Sequence, residues 1–176
     1  MKLKKIEIVA RILIYMSGDI TPLALQKALY YVQGFSFVFF KQAIFNEDCE
    51  AWVHGPVYRE IYTKYKTYAY NPIDEMDNNN FAFDKKLITE LEFSLIKSIV
   101  TYICCYSGAI LEKFTHLEAP WIITRGKLTS TELSSEIISK NEIEKYFLQI
   151  KEEYNIERIE DIKNYTDVMF KNVNCL

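Results

Sequence analysis

"TPLALQKALYYVQGFSFVFF", Thr21 to Phe40, opens with a helix start and is then apolar on nearly every side. Thr21 is placed to cap the helix, and Pro22 sits at the first helical position, where its missing N–H costs nothing. Leu25, Leu29, Val32, Phe35 and Phe39 recur at helical spacing, with Phe37, Val38 and Phe40 widening the apolar surface around them. A helix with so little polar face belongs at the centre of a helical fold, buried on most sides. Gly34, in its middle, is worse than alanine there by about 1 kcal/mol. A neighbour passing close at that point would account for it.

Outward from this helix, Ile6, Val9, Leu13 and Met16 predict a preceding helix over 5–16, ended by "SGD". After a turn at "KQAIFNED", Ala51 and Val53 alternate with Trp52, so "CEAWV" reads as a short strand over 49–53. His54-Gly55 closes it, and Pro56 is expected to open a third helix to about Lys66. A second strand is expected near Ile73, within 73–83, and Asp77–Asn80 as an exposed tip. A long helix is expected from Asp84 to about Tyr106, then a break at Ser107-Gly108 with a new cap. A short helix over "AILEKFTHLE" must end before Pro120. Periodic segments after Ser130, around Asn141–Tyr154 and near Arg158–Phe170 read as further helices. The expected fold is mainly α: one domain over 1–176, a bundle of six to seven helices with at most a small two- or three-stranded β element near 49–53 and 73–83.

The chain has 176 residues, with 49% hydrophobic and 26% charged, which suits a globular core. Thirteen Tyr, eleven Phe and two Trp supply large contact areas, many with a polar tip suited to a wet edge. A net charge of −3 offers no basic face for nucleic acid. "ARILIYMSGDITPLALQKALYYVQG" has the layout of a helix-turn-helix, but Lys27 is the only base inside its second helix, where a recognition helix needs polar side chains. In "MKLKKIEIVARILIYM", Glu7 and Arg11 interrupt the apolar run and no small-residue cleavage site follows. No run reaches the ~18 apolar residues of a membrane span. A cytoplasmic location is expected.

Chemistry is sparse. His54 and His116 are the two histidines, and neither has a partner at metal-ligand spacing. Cys49, Cys104, Cys105 and Cys175 show no CxxC spacing and read as free thiols, with Cys104 and Cys105 inert in an apolar helix. No GxSxG and no phosphate-cradling glycine loop is present. No metal or cofactor is expected, and no catalysis. The one enzymatic alternative pairs His116 with Glu118 as acid and base and requires a pocket holding both.

Three blocks together carry a resemblance. "LQKALYYVQG" contributes Leu25, Gln26, Lys27, Leu29, Tyr30, Tyr31, Gln33 and Gly34. "AWVHGPV" contributes Ala51, Trp52, Gly55, Pro56 and Val57, and "THLEAPW" contributes Thr115, His116, Glu118, Pro120 and Trp121. In this order they resemble the Panacea domain, which includes SocA-like antitoxins and phage-associated GepA-type proteins. The resemblance covers about 5–150, leaving a C-terminal helical extension over about 155–176. It leaves the position of His54 open and gives His116 weight. It implies a mostly helical fold and a bacterial or prophage origin. It also implies an antitoxin that binds a co-encoded protein toxin, in some members as an adaptor to an ATP-dependent protease. A DNA-binding autoregulator is the remaining alternative. For a partner surface the residues to follow are the aromatic and charged Tyr30, Trp52, Arg59, Tyr62 and Trp121.

Overall fold

Thr21 accepts the N–H of Ala24 through its side chain, and Pro22 begins a 19-residue helix, α2 (Pro22–Phe40). A computed structural model describes residues 3–74 and 78–174. Every residue of α2 from Ala24 to Val38 is buried, as its all-round apolar surface requires. α1 (Lys5–Ser17) meets α2 at 120° and packs along it. The other helices enclose α2: α5 (Glu90–Tyr102), α6 (Gly108–His116) and α8 (Lys140–Glu153) pack directly on it. α3 (Arg59–Tyr65), α4 (Asn78–Lys85), α7 (Ala119–Arg125) and α9 (Ile162–Asn174) complete the nine α-helices among the described residues.

The sheet is antiparallel and three-stranded, in the order β2-β1-β3. β1 (Cys49–Trp52) pairs with β2 (Gly55–Val57) through Ala51 opposite Pro56 and Trp52 opposite Gly55, and with β3 (Ile137–Ile138) through Cys49 opposite Ile138. The fold is therefore mainly α with a small β element, as expected; the described residues hold nine α-helices rather than six to seven, and the details differ in four places. Pro56 does not open a helix: it lies in β2, an edge strand, where a missing N–H is tolerated. The helix starts at Arg59, after Tyr58 in extended conformation. No strand forms at 73–74 or 78–83. Ile73 gives its N–H to the Ile20 carbonyl (2.9 Å), Asn78–Lys85 is helical, and Asp77 of the expected tip lies outside the described residues.

The helix expected over 84–106 is the end of α4, a break at 86–89 and α5, and 103–106, with Cys104 and Cys105, is a turn rather than helix. Thr89 caps α5 in a reciprocal box with Glu92 (Glu92 N–H to Thr89 Oγ1, 3.1 Å; Thr89 N–H to Glu92 Oε2, 2.7 Å), which starts a new helix there. The segment after Ser130 is loop and strand, its two β-branched isoleucines pairing with β1. Pro120 ends one helix and also begins the next, α7, as a first-turn proline. Ser107 caps α6 as expected, accepting from Ile110 N–H. Gly34 has the close neighbour its position called for. A Cβ there would lie 2.3 Å from the Phe147 ring of α8, so the absent side chain is what seats that ring against α2.

Candidate functional site

The hairpin β1–β2 turns at Val53-His54, and the three sequence blocks converge on it. Residues 44–48 lie outside the ladder and β2 is an edge strand, so their buried backbone groups must be satisfied by other means. Polar side chains of α2 do this from one side. Gln33 takes the N–H of Ile44 (3.1 Å) on Oε1 and gives Nε2–H to the Phe45 carbonyl (3.0 Å). Gln26 accepts from Tyr58 N–H at 2.8 Å, and Lys27 donates to the Pro56 carbonyl at 3.0 Å. Gly55 has φ +95°, a left-handed conformation, and a Cβ there would meet Thr115 Oγ1 at 2.6 Å and Lys27 Nζ at 2.8 Å.

α6 and α7 hold the hairpin from the other side, through three consecutive carbonyls. Arg125 Nη1 donates to Ala51 O (3.2 Å), Trp121 Nε1 to Trp52 O (2.8 Å), and His116 Nε2 to Val53 O (3.0 Å). His116 stacks on Trp121 with ring centroids 4.1 Å apart. Arg125 reaches further with Nη2, donating to the carbonyls of Thr129 and Glu132 at 2.7 Å each, and so fixes the loop after α7. Nothing singled Arg125 out in the sequence. An arginine at a helix end looks like any solvated cation until its carbonyl partners, 74 residues away in one case, are in place.

The electrostatics follow from burial. Lys27 is fully buried, and desolvation lowers its amine to about 7. Burial pushes the Cys49 thiol up to about 12 and the Cys104 thiol to about 12. Cys49, Cys104 and Cys105 are free thiols, as expected, and Cys175 lies outside the described residues. Half-burial lowers His116 below its ordinary value. Glu118 is fully buried and desolvation raises it to about 7. Its Oε1 accepts from Tyr31 (2.6 Å) and from Tyr165. His116 and Glu118 therefore have separate partners, a backbone carbonyl and a pair of tyrosine hydroxyls, and do not form an acid–base pair.

Of the residues followed for a partner surface, Tyr30 is core, as is its neighbour Tyr31, both with rings edge-on to Phe147. Trp121 is a half-buried clasp. Trp52, Arg59 and Tyr62 are different. Arg59 grips Glu50 with two hydrogen bonds (Nε to Oε1, 2.8 Å; Nη2 to Oε2, 2.6 Å), and Trp52 Nε1 donates to the same carboxylate at 2.7 Å. These hydrogen bonds hold Glu50 below the usual carboxylate range. The guanidinium lies 5.2 Å from the Trp52 ring centroid, and Tyr62 meets that ring edge-on at 4.8 Å. Beside them, the hairpin tip, Arg59 and the loop from Thr131 to Ser135 line a pocket of about 730 Å³. Leu133, on that loop, is 90% exposed.

A DNA-reading role for the first two helices has no surface to use, since α2 is interior. Among the described residues no single helix is long and apolar enough to cross a membrane; α1 and α2 meet that test only jointly, bent by 120°. Also among them, no three His, Cys, Asp or Glu side chains gather as a metal site. A family model for the SocA-like antitoxin, Panacea domain, matches residues 25–122, narrower than the 5–150 of the resemblance. The match spans all three blocks. No curated protein and no solved structure matches.

Proposed function

The chain belongs to the SocA-like antitoxin family with a Panacea domain, and on that premise we propose that it neutralises a co-encoded protein toxin by direct contact at the hairpin cleft. The observation that carries this reading is the division of labour around the hairpin. Gln26, Lys27, Gln33, His116 and Trp121 bond the backbone of the hairpin and its flanks, while Trp52, Arg59 and Tyr62 are left facing out, Trp52 and Arg59 locked together through Glu50 and Tyr62 against the Trp52 ring. Trp, Tyr and Arg in a fixed cluster are what binding hot spots use, and side chains already held in place lose less freedom on association.

The cleft also defines the toxin surface it fits. Two polar side chains of its lining already have partners, Arg59 with Glu50 and His54 with Glu112. The contact is therefore apolar and aromatic, with a toxin side chain entering the pocket between Trp52 and Leu133. The protein acts in the cytoplasm. Delivery of the bound toxin to an ATP-dependent protease extends the same contact.

The test is co-expression with the product of the adjacent gene. Restored growth and co-purification of the two proteins support the reading. A neighbour that is harmless alone, or stays toxic beside this protein, contradicts it. The toxin level separates the two modes: unchanged for blocking, reduced for protease delivery.

A further inference from the structure

Glu118 stands at the N-cap position of α7 but does not cap it with its side chain, which turns inward to Tyr31 of α2 and Tyr165 of α9. Its Oε1 collects two tyrosine hydroxyls from opposite ends of the chain, Tyr31 on α2 and Tyr165 on α9. The titratable groups facing it are all tyrosines: Tyr30 and Tyr31 on α2, Tyr146 on α8 and Tyr165 on α9. Burial raises every one of them, so they stay neutral, and Tyr31 and Tyr165 are the two that donate to the carboxyl. Among the described residues no cation offsets the carboxylate. A buried charge compensated by hydroxyls alone is held at a cost that the neutral acid does not incur.

We propose that Glu118 is a protonation-dependent tie between α9 and the core, closed when the carboxyl is neutral and loosened when it ionises. This goes beyond the antitoxin reading and does not depend on it. α9 is suited to such a tie, because it packs on α5 and α6, buries Thr166, Met169 and Val173, and sends Tyr165 in against Tyr31 and Phe35 of α2. Tyr165 is its fully buried anchor. Detaching this one helix opens Glu118 to water without dismantling α2, which the other helices still enclose.

The direction with pH follows from linkage. In the closed protein the carboxyl titrates at about 7, against 4.5 when free. Between those values opening releases a proton, so rising pH favours opening, and above about 7 the dependence levels off. Going from pH 6 to pH 8, the open fraction rises about tenfold.

Hydrogen exchange at residues 162–174 reads this directly, once corrected for intrinsic exchange. Wild-type protection there is expected to fall about tenfold from pH 6 to pH 8, with α1 unchanged. In Glu118→Gln, whose amide keeps an acceptor for the tyrosines but cannot ionise, the fall is expected to vanish. Constant wild-type protection, an equal fall in Glu118→Gln, or an equal fall in α1 overturns the proposal. Should the variant not fold, the wild-type Glu118 carboxyl carbon followed by NMR gives the same decision. A midpoint near 7 supports the tie, and one below 5.5 overturns it.

Discussion

Lys27 sits in the middle of the most apolar helix of the chain, with its amine on the Pro56 carbonyl and fully buried. In an unfolded chain that amine titrates at 10.5, and burial brings it to about 7. The folded protein thus holds fewer protons than the unfolded one between those values, and the contribution of Lys27 to stability rises with pH across that window. Below about pH 7 the burial penalty on the charged amine is present in full. Lys27→Met removes the titration, and with it the whole pH-dependent part of the Lys27 contribution. Its stability relative to wild type is therefore expected to be better at pH 6 than at pH 9 by about 2 to 3 kcal/mol, measured by denaturant unfolding. A difference independent of pH would mean that the amine is not desolvated as described. The same residue shows what single-residue reading misses. A lysine, a glutamine or a histidine in a motif looks equally fit to touch a partner or to satisfy a backbone. The choice is visible only with the chain from 44 to 58 in place to receive Gln33, Gln26, Lys27 and His116.

Among the elements, α2 and α8 are joined where Phe147 fills the place of the missing Gly34 side chain. Helix propensity alone says that Gly34→Ala gains about 1 kcal/mol. The ring 2.3 Å from the new Cβ says the opposite, since overpacking a dense core costs about 1 to 3 kcal/mol. The clash is expected to win: Gly34→Ala lowers stability, and Phe147→Leu in that background loses less than Phe147→Leu alone. Additive effects of the two changes in a double-mutant cycle would contradict this packing. Legibility at this scale depends on whether a signal is local. Thr21-Pro22 and Ser107-Gly108 mark their helix starts through contacts three residues away, and both are readable in the sequence. Thr89 with Glu92 is an equally local box, but the apolar stripe running across it masks the break. β2 and β3 are not readable, because a strand of two or three residues exists only through its partner. Ile137-Ile138 reaches β1 from the far side of five helices in the chain, with Ile138 opposite Cys49. Pro56 illustrates the same point, its place in an edge strand being set by Lys27 and Ala51 rather than by its own preference for a helix start.

At the scale of the whole molecule, the family-matched stretch 25–122 is completed by residues C-terminal to it. Phe147 and Tyr165 supply core contacts to α2 and Glu118, and Arg125 fixes the loop that forms the second wall of the cleft. The central claim is that the interior polar residues build the hairpin while the cleft beside it binds the toxin. Leu133 separates the two roles, because it is 90% exposed and its removal leaves the core untouched. Leu133→Asp places a charge in an apolar contact, while an exposed substitution of this kind shifts stability by no more than about 0.5 kcal/mol. The measurement is growth rescue by wild type and by Leu133→Asp, each co-expressed with the toxin at matched protein levels. The account predicts that wild type rescues and that the folded variant does not. Full rescue by Leu133→Asp would contradict the cleft as the toxin-binding surface.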